Sequence, residues 1–109
     1  MKKEGLQVLV SESDGELTAT LVGEVDHHTA APIRTEIDTA LFKHRPRRLT
    51  LDLSGVDFMD SSGLGLILGR AALCEEMGAT LRLLHPGPRV ARVLAVVGLE
   101  RLKHIVTEE

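Results

Sequence analysis

The sequence predicts an α/β domain carrying a largely parallel or mixed sheet. Stretches of alternating apolar and polar residues, the period of half-buried strands, recur along the chain. Between them lie stretches with apolar residues at helical spacing. After an opening hairpin the two patterns alternate, and strands connected through helices run parallel by right-handed crossovers. The order reads strand, strand, helix, strand, helix, strand, helix, strand, with no internal repeat or linker.

Leu6 to Val10 opens as a strand, and Asp14-Gly15 is a turn signal at hairpin spacing. In the next strand Leu17, Ala19 and Leu21 alternate with Thr18 and Thr20 up to Val22, and Gly23-Glu24-Val25-Asp26 leaves it. Thr29 is placed to cap the first helix, with Pro32 in its first turn, where a missing N–H does no harm. Ile33, Ile37 and Leu41 mark its buried face, Arg34 and Asp38 are spaced to pair outside, and the helix ends near Phe42. A third strand spans Leu49 to Leu53 and breaks at Ser54-Gly55. The second helix spans Ser62 to Met77, with Gly78 as the residue that terminates it. Thr80 to Leu84 is a strand, and Pro86-Gly87-Pro88 a turn. Arg89 to Val97 is a short helix closed by Gly98, and Lys103 to Val106 a last strand.

A length of 109 residues fits one domain with one core. Aromatic residues make up only 2% of the chain, so the core is built from Leu, Val, Ile and Ala, and stacking platforms for nucleic acid are missing. The net charge of -3 also argues against nucleic acid as a partner. No apolar run reaches the ~18 residues of a membrane span, so no membrane is expected, and the segment before the first strand has no signal-peptide core. The single cysteine, Cys74, excludes an internal disulfide and is expected to face the core. These features suit a cytoplasmic domain. The basic run Lys43, His44, Arg45, Arg47 and Arg48 reads as a solvated loop.

The segment Asp60-Ser61-Ser62-Gly63-Leu64 is the chemically informative one. It follows a strand and opens a helix, where backbone N–H groups lack partners and negative charge is welcome. One of Asp60, Ser61 and Ser62 caps the helix whatever the function. That leaves two more polar residues beside Gly63 and Gly65, and Ser61, further out than Ser62, is the better candidate for a regulatory phosphoryl group. Gly63 and Gly65 would leave backbone near Ser61 open to a partner, whereas Gly69 fits close packing of the helix on the sheet. The first half of this helix, with Leu64, Leu66, Ile67 and Leu68, is apolar nearly all round. Either a neighbouring helix also covers it, or it offers an apolar patch beside Ser61.

Asp26-His27-His28 follows the second strand. Adjacent histidines converge poorly on one metal, and no third ligand is evident. Asp26 reads as a turn or cap residue, or as an acidic neighbour of Ser61 at one edge of the sheet. A Ser61-His-Asp26 hydrolase is the enzymatic alternative, though no Gly-x-Ser-x-Gly elbow accompanies it. A nucleotide site has no phosphate-binding loop to support it, and no cofactor is expected.

Taken in order, three stretches resemble one family: Gly23-Glu24-Val25-Asp26-His27-His28-Thr29-Ala30, Phe58-Met59-Asp60-Ser61-Ser62-Gly63-Leu64-Gly65, and Ile67-Leu68-Gly69-Arg70. They are similar to the STAS-domain anti-sigma factor antagonists of bacteria, above all to the sporulation type, which opposes the anti-sigma F factor. The resemblance spans nearly the whole chain and implies one STAS domain over residues 1–109, a small mixed sheet of about five strands with helices on one side. It implies a regulatory protein without catalysis of its own. The unphosphorylated form would bind an anti-sigma factor that is also a serine kinase, and so release the sigma factor. The kinase would phosphorylate Ser61 using ATP, and a PP2C-type phosphatase would reverse this. The expected partner surface comprises Glu24, Asp26, Asp60, Ser62, Gly63, Leu64 and Gly65. A STAS module of a stress-response pathway is the neighbouring alternative. Family members often carry a further helix after the last strand, and this sequence departs from that pattern in stopping at Thr107-Glu108-Glu109.

Overall fold

Asp14 and Gly15 both adopt positive φ, 56° and 83°, as a tight hairpin turn demands. In this computed structural model, which describes residues 7–96, 98 and 105–108, the turn folds β1 (Gln7–Ser13) antiparallel onto β2 (Glu16–Val25). There follow α1 (Ala30–His44), β3 (Arg48–Met59), α2 (Ser61–Glu76), β4 (Thr80–Leu84), α3 (Pro88–Val96) and β5 (Ile105–Glu108). The strands form one sheet in the order β1-β2-β3-β4-β5, and every pairing after the first is parallel. This is the mixed α/β architecture expected from the sequence. Leu6, Val97 and Lys103, the outer limits of three expected elements, lie outside the described residues.

The core follows from the alternation. Leu17, Ala19 and Leu21 of β2, Leu49, Leu51 and Leu53 of β3, and Leu81 and Leu83 of β4 are buried on one face. Ile33, Ile37 and Leu41 of α1, Leu66, Ile67 and Ala71 of α2, and Val90 and Leu94 of α3 complete the same cluster. Each such leucine or isoleucine contributes roughly 1.5–3 kcal/mol of transfer free energy. The opposite face is polar: Thr18 stands beside Thr50, Thr20 beside Asp52, and Thr50 beside Arg82, whose Nε donates to Thr50 Oγ1 at 3.0 Å.

Three differences from the sequence reading have local causes. First, β2 and β3 do not stop at Gly23 and Ser54 but pair on to Val25 and Met59. Register shifts between Thr20 and Val22 and between Gly23 and Glu24 each insert an extra residue on β3, so the strand bulges instead of ending. Asp52 Oδ1 accepts from Ser54 N and Oγ at the first bulge. Gly55 fits there because a Cβ would sit 3.0 Å from Val22 Cγ2. Second, α1 runs past Phe42 to His44 and closes on left-handed Arg45, whose N–H donates to Leu41 O at 2.8 Å. The basic run is more than solvated loop, since Arg48 lies in β3 and forks onto Glu16 at 2.8 Å. Third, Asp38 turns away from Arg34 and forms an ion pair with Arg70 Nε of α2 at 2.9 Å.

Cys74 is fully buried on α2, as expected, and burial pushes its thiol up to about 11 from 9.0. Unfolding restores the ordinary value, so the unfolded chain holds fewer protons above pH 9. The thiol therefore favours the fold below pH 9, and this contribution is lost as pH rises towards 11. We expect native Cys74 to carry about a hundredfold less thiolate at pH 8 than a free thiol. Thiol-reagent labelling should accordingly be slow in the native protein and fast in denaturant. Equal rates in both would contradict the burial.

Candidate functional site

Two helices begin side by side because two parallel strands end side by side. Val25 of β2 pairs with Met59 of β3, and Asp60 N–H donates to Val25 O at 3.2 Å. Asp26 and Asp60 thus leave the sheet together, Asp60 directly capping α2 and Asp26 starting the turn that leads into α1. At α2 the three-way question of the cap resolves to Asp60, whose Oδ1 accepts from Ser62 N at 2.8 Å and Gly63 N at 3.4 Å. At α1 Thr29 is the N-cap residue, as expected, although its side chain makes no capping bond. Asp26 holds the turn that leads into the helix: its Oδ1 accepts from His28 N at 2.9 Å and Thr29 N at 3.1 Å. Asp26 N donates back to Thr29 Oγ1 at 2.9 Å. This is the reciprocal geometry of a capping box. The Thr29 backbone N–H is the largest cause holding the Asp26 carboxyl below its usual range, with His28 N–H and the Thr29 hydroxyl adding to it. Asp26 therefore stays charged down to lower pH than an ordinary aspartate.

Ser61 is the first residue of α2 and is exposed; Ser62 is half-buried. Ser61 belongs to the helix and not to the preceding loop. Asp60 already satisfies the N–H groups of Ser62 and Gly63, so a phosphoryl group on Ser61 gains the helix dipole but not those two donors. It also stands next in sequence to the Asp60 carboxylate. Glu24, exposed on the strand facing Phe58, adds charge at the same edge.

The glycines divide differently from expectation. Gly63 is buried, and a Cβ there would overlap Met59 Cγ and lie 3.1 Å from Val25 Cγ1. It locks α2 onto the strand ends and is not open backbone. Gly65 is exposed, in keeping with the sequence reading, whereas Gly69 is not packed on the sheet: a Cβ at either would meet nothing within 4 Å. Leu64 is half-buried and Leu68 is 42% exposed, while Leu66 and Ile67 are covered. The wide apolar surface is thus mostly consumed by the core, with α1 alongside, leaving Leu68 as its exposed remainder.

The hydrolase alternative lacks its relay. The rings of His27 and His28 lie against each other with centroids 4.0 Å apart, and the Asp26 carboxylate is spent on its bonds within the turn. Among the described residues no hydrogen bond joins Ser61 to either imidazole, no group of side chains is arranged to hold a metal, and no helix is long and apolar enough to cross a membrane.

Residues 7–109 match the family model described as STAS domain. The chain is 36% identical over 104 residues to the anti-sigma F factor antagonist of Paenibacillus polymyxa, covering 95% of this chain and 89% of that one. It is 39% identical over 89 residues to the anti-sigma F factor antagonist of Lysinibacillus sphaericus, covering 82% and 76%. Its fold matches the unphosphorylated form of the anti-sigma factor antagonist SpoIIAA with a TM-score of 0.79 at 31% identity, over 93% of this chain and 87% of that one. The phosphorylated form of the Bacillus cell fate determinant SpoIIAA matches with a TM-score of 0.73 at 30% identity, over 93% and 90%.

Removing the cap by Asp60→Ala should cost about 1 kcal/mol in denaturant unfolding. Gly63→Ala should cost more, roughly 1–3 kcal/mol, because Met59 must move within a packed core. If Gly63→Ala proved as stable as the parent, the locking role assigned to Gly63 would be wrong.

Proposed function

The chain belongs to the STAS domain family, and on that premise we propose that it is an anti-sigma factor antagonist switched by phosphorylation of Ser61. Its unphosphorylated form binds an anti-sigma factor that is also a serine kinase and so liberates the sigma factor. A PP2C-type phosphatase restores that form. The protein acts in the cytoplasm as a single regulatory domain without catalysis of its own. The observation that carries this reading is the position of Ser61: exposed, at the start of a helix whose cap is already supplied by Asp60. A kinase reaches the hydroxyl without opening the core, and the added charge does not remove the cap.

The binding surface we assign is the strand-end edge with the first turns of α2. Glu24, Asp26 and Asp60 supply its charge, Ser62, Leu64 and Gly65 its contact area, and Gly63 its rigidity. Phosphoserine brings roughly -1.5 to -2 charges. A partner carboxylate at ~4 Å in a partly desolvated interface would be repelled by a few kcal/mol. About 3 kcal/mol is over a hundredfold in affinity, enough for release with the fold intact.

Incubation with the cognate anti-sigma kinase and ATP should add one phosphate, mapped to Ser61 by peptide mass spectrometry and absent in Ser61→Ala. Ser61→Ala should bind the kinase normally and resist release, and Ser61→Asp should bind more weakly. The phosphorylated protein should keep its circular dichroism and melt close to the parent. No modification by a kinase active on another substrate would refute the switch, and a large drop in melting temperature would refute release at the surface.

A further inference from the structure

The sheet has two edge strands, and they differ. Edge strands present unpaired N–H and C=O groups, and proteins commonly guard them by shortness, proline, lysine or bulges. β5 spans only Ile105–Glu108 and ends on Glu108, whose carboxylate pairs with Arg82 at 3.5 Å. β1 has none of these guards. It runs over seven residues, Gln7–Ser13, in unbroken register with β2, and holds no proline, lysine or arginine. Both bulges lie elsewhere, between β2 and β3.

The hairpin decides which backbone groups of β1 are free. Asp14 and Gly15 form a two-residue turn closed by the Ser13–Glu16 pair. The closing pair of such a turn exchanges both its hydrogen bonds, and bonded and non-bonded pairs then alternate. The N–H and C=O groups of Val8, Val10 and Glu12 therefore point away from β2. Leu9, paired with Thr20 on the polar face of the sheet, is 69% exposed. Val8, half-buried against the core, and Val10, 38% exposed, lie on the helix side. The centre of this free edge is thus apolar on both faces.

We propose that β1 pairs antiparallel with β1 of a second copy of this chain, about a twofold axis at Leu9, joining the two sheets into one. Leu9 then stands opposite Leu9 of the second copy as a non-hydrogen-bonded pair, with Cα atoms about 4.5 Å apart and side chains in contact. Val8 of each copy faces Val10 of the other, and each of these pairs exchanges both its backbone bonds. A register centred on Val10 would set the Glu12 carboxylate against Val8. A slip by a single residue would oppose residues of different faces.

Charge agrees with the Leu9 axis. The two Glu12 side chains fall on opposite sides of it, roughly 20 Å apart along the strands, beyond the Debye length of about 10 Å. The antiparallel arrangement also directs the N-terminal side of each chain, which carries Lys2 and Lys3, towards the Glu12 and Asp14 end of the other copy. One strand pair is a small interface beside the roughly 1,200–2,000 Å² of stable complexes, so the association is reversible and depends on concentration. Ser61 follows β3, two strands from this seam, and the pairing does not rest on the antagonist reading.

Sedimentation velocity of the whole chain over a range of concentrations tests the pairing. The mass should rise from 11.8 kDa towards twice that value and go no further, because a twofold contact is closed. Leu9→Lys sets like charges face to face and should weaken association about tenfold or more. Its melting temperature at low concentration should stay near the parent's, since Leu9 is exposed. Leu9→Glu should behave alike, and mixing the Leu9→Lys and Leu9→Glu chains should restore the dimer, because at the axis each residue 9 meets the other. Val106→Lys, at the β5 edge, should leave association unchanged. A parent that stays at 11.8 kDa at high concentration, growth beyond two chains, a dimer that survives Leu9→Lys, or no recovery on mixing would overturn the pairing. Loss of the dimer in Val106→Lys would place the contact at β5 and overturn it as well.

Discussion

The pairing of β2 with β3 is the constraint on which the rest depends. It continues through two bulges to Val25 beside Met59, and it determines where both helices begin. Had β3 ended at Ser54, as its Ser-Gly pair suggests, Asp60 would not receive its bond to Val25 O and the two helix starts would not adjoin. Each bulge adds a residue to β3 alone, which lengthens the strand by the amount needed to carry Met59 level with Val25. Gly63 then clamps the junction, since only a residue without Cβ lets α2 approach Met59 and Val25 so closely.

From that junction comes a division of labour between adjacent residues. Asp60 holds the helix, so Ser61 is free of structural duty and exposed. Asp26 holds the turn into α1 while Asp60 caps α2, and its bonds to Thr29 and His28 keep it charged. The result is a negatively charged edge with an exposed hydroxyl beside it, to which the proposed phosphorylation would add charge at a side chain outside the core. A switch read by a partner needs this arrangement, because a signal that unfolded the domain would destroy the surface that is being read.

The remainder of α2 serves other ends. Its inner side closes the core through Leu66, Ile67, Ala71 and Cys74. Arg70, between them, is drawn to Asp38 across the helix pair and forms a largely buried ion pair with it at 2.9 Å. Breaking a pair of this kind by removing one partner strands a charge in the interior.

The element order was legible in the sequence, because alternation in Leu17–Leu21 and Leu49–Leu53 and helical spacing in Ile33–Leu41 are local signals of what faces the core. The Asp-Gly turn and the Gly78 stop were legible for the same reason: a positive φ is a single-residue requirement. Asp60-Ser61-Ser62 announced a helix start with surplus hydroxyls. Only the tertiary structure decided the rest. Whether Ser54-Gly55 ends a strand or bulges it depends on the partner strand, and whether Gly63 or Gly69 is packed depends on which neighbour faces it. Whether Asp38 pairs with Arg34 or Arg70 depends on where a second helix lies. Sequence by itself determines what each residue prefers over a turn or two of chain; contacts between distant segments choose among those preferences, because the competing partners differ by little locally and by much once buried.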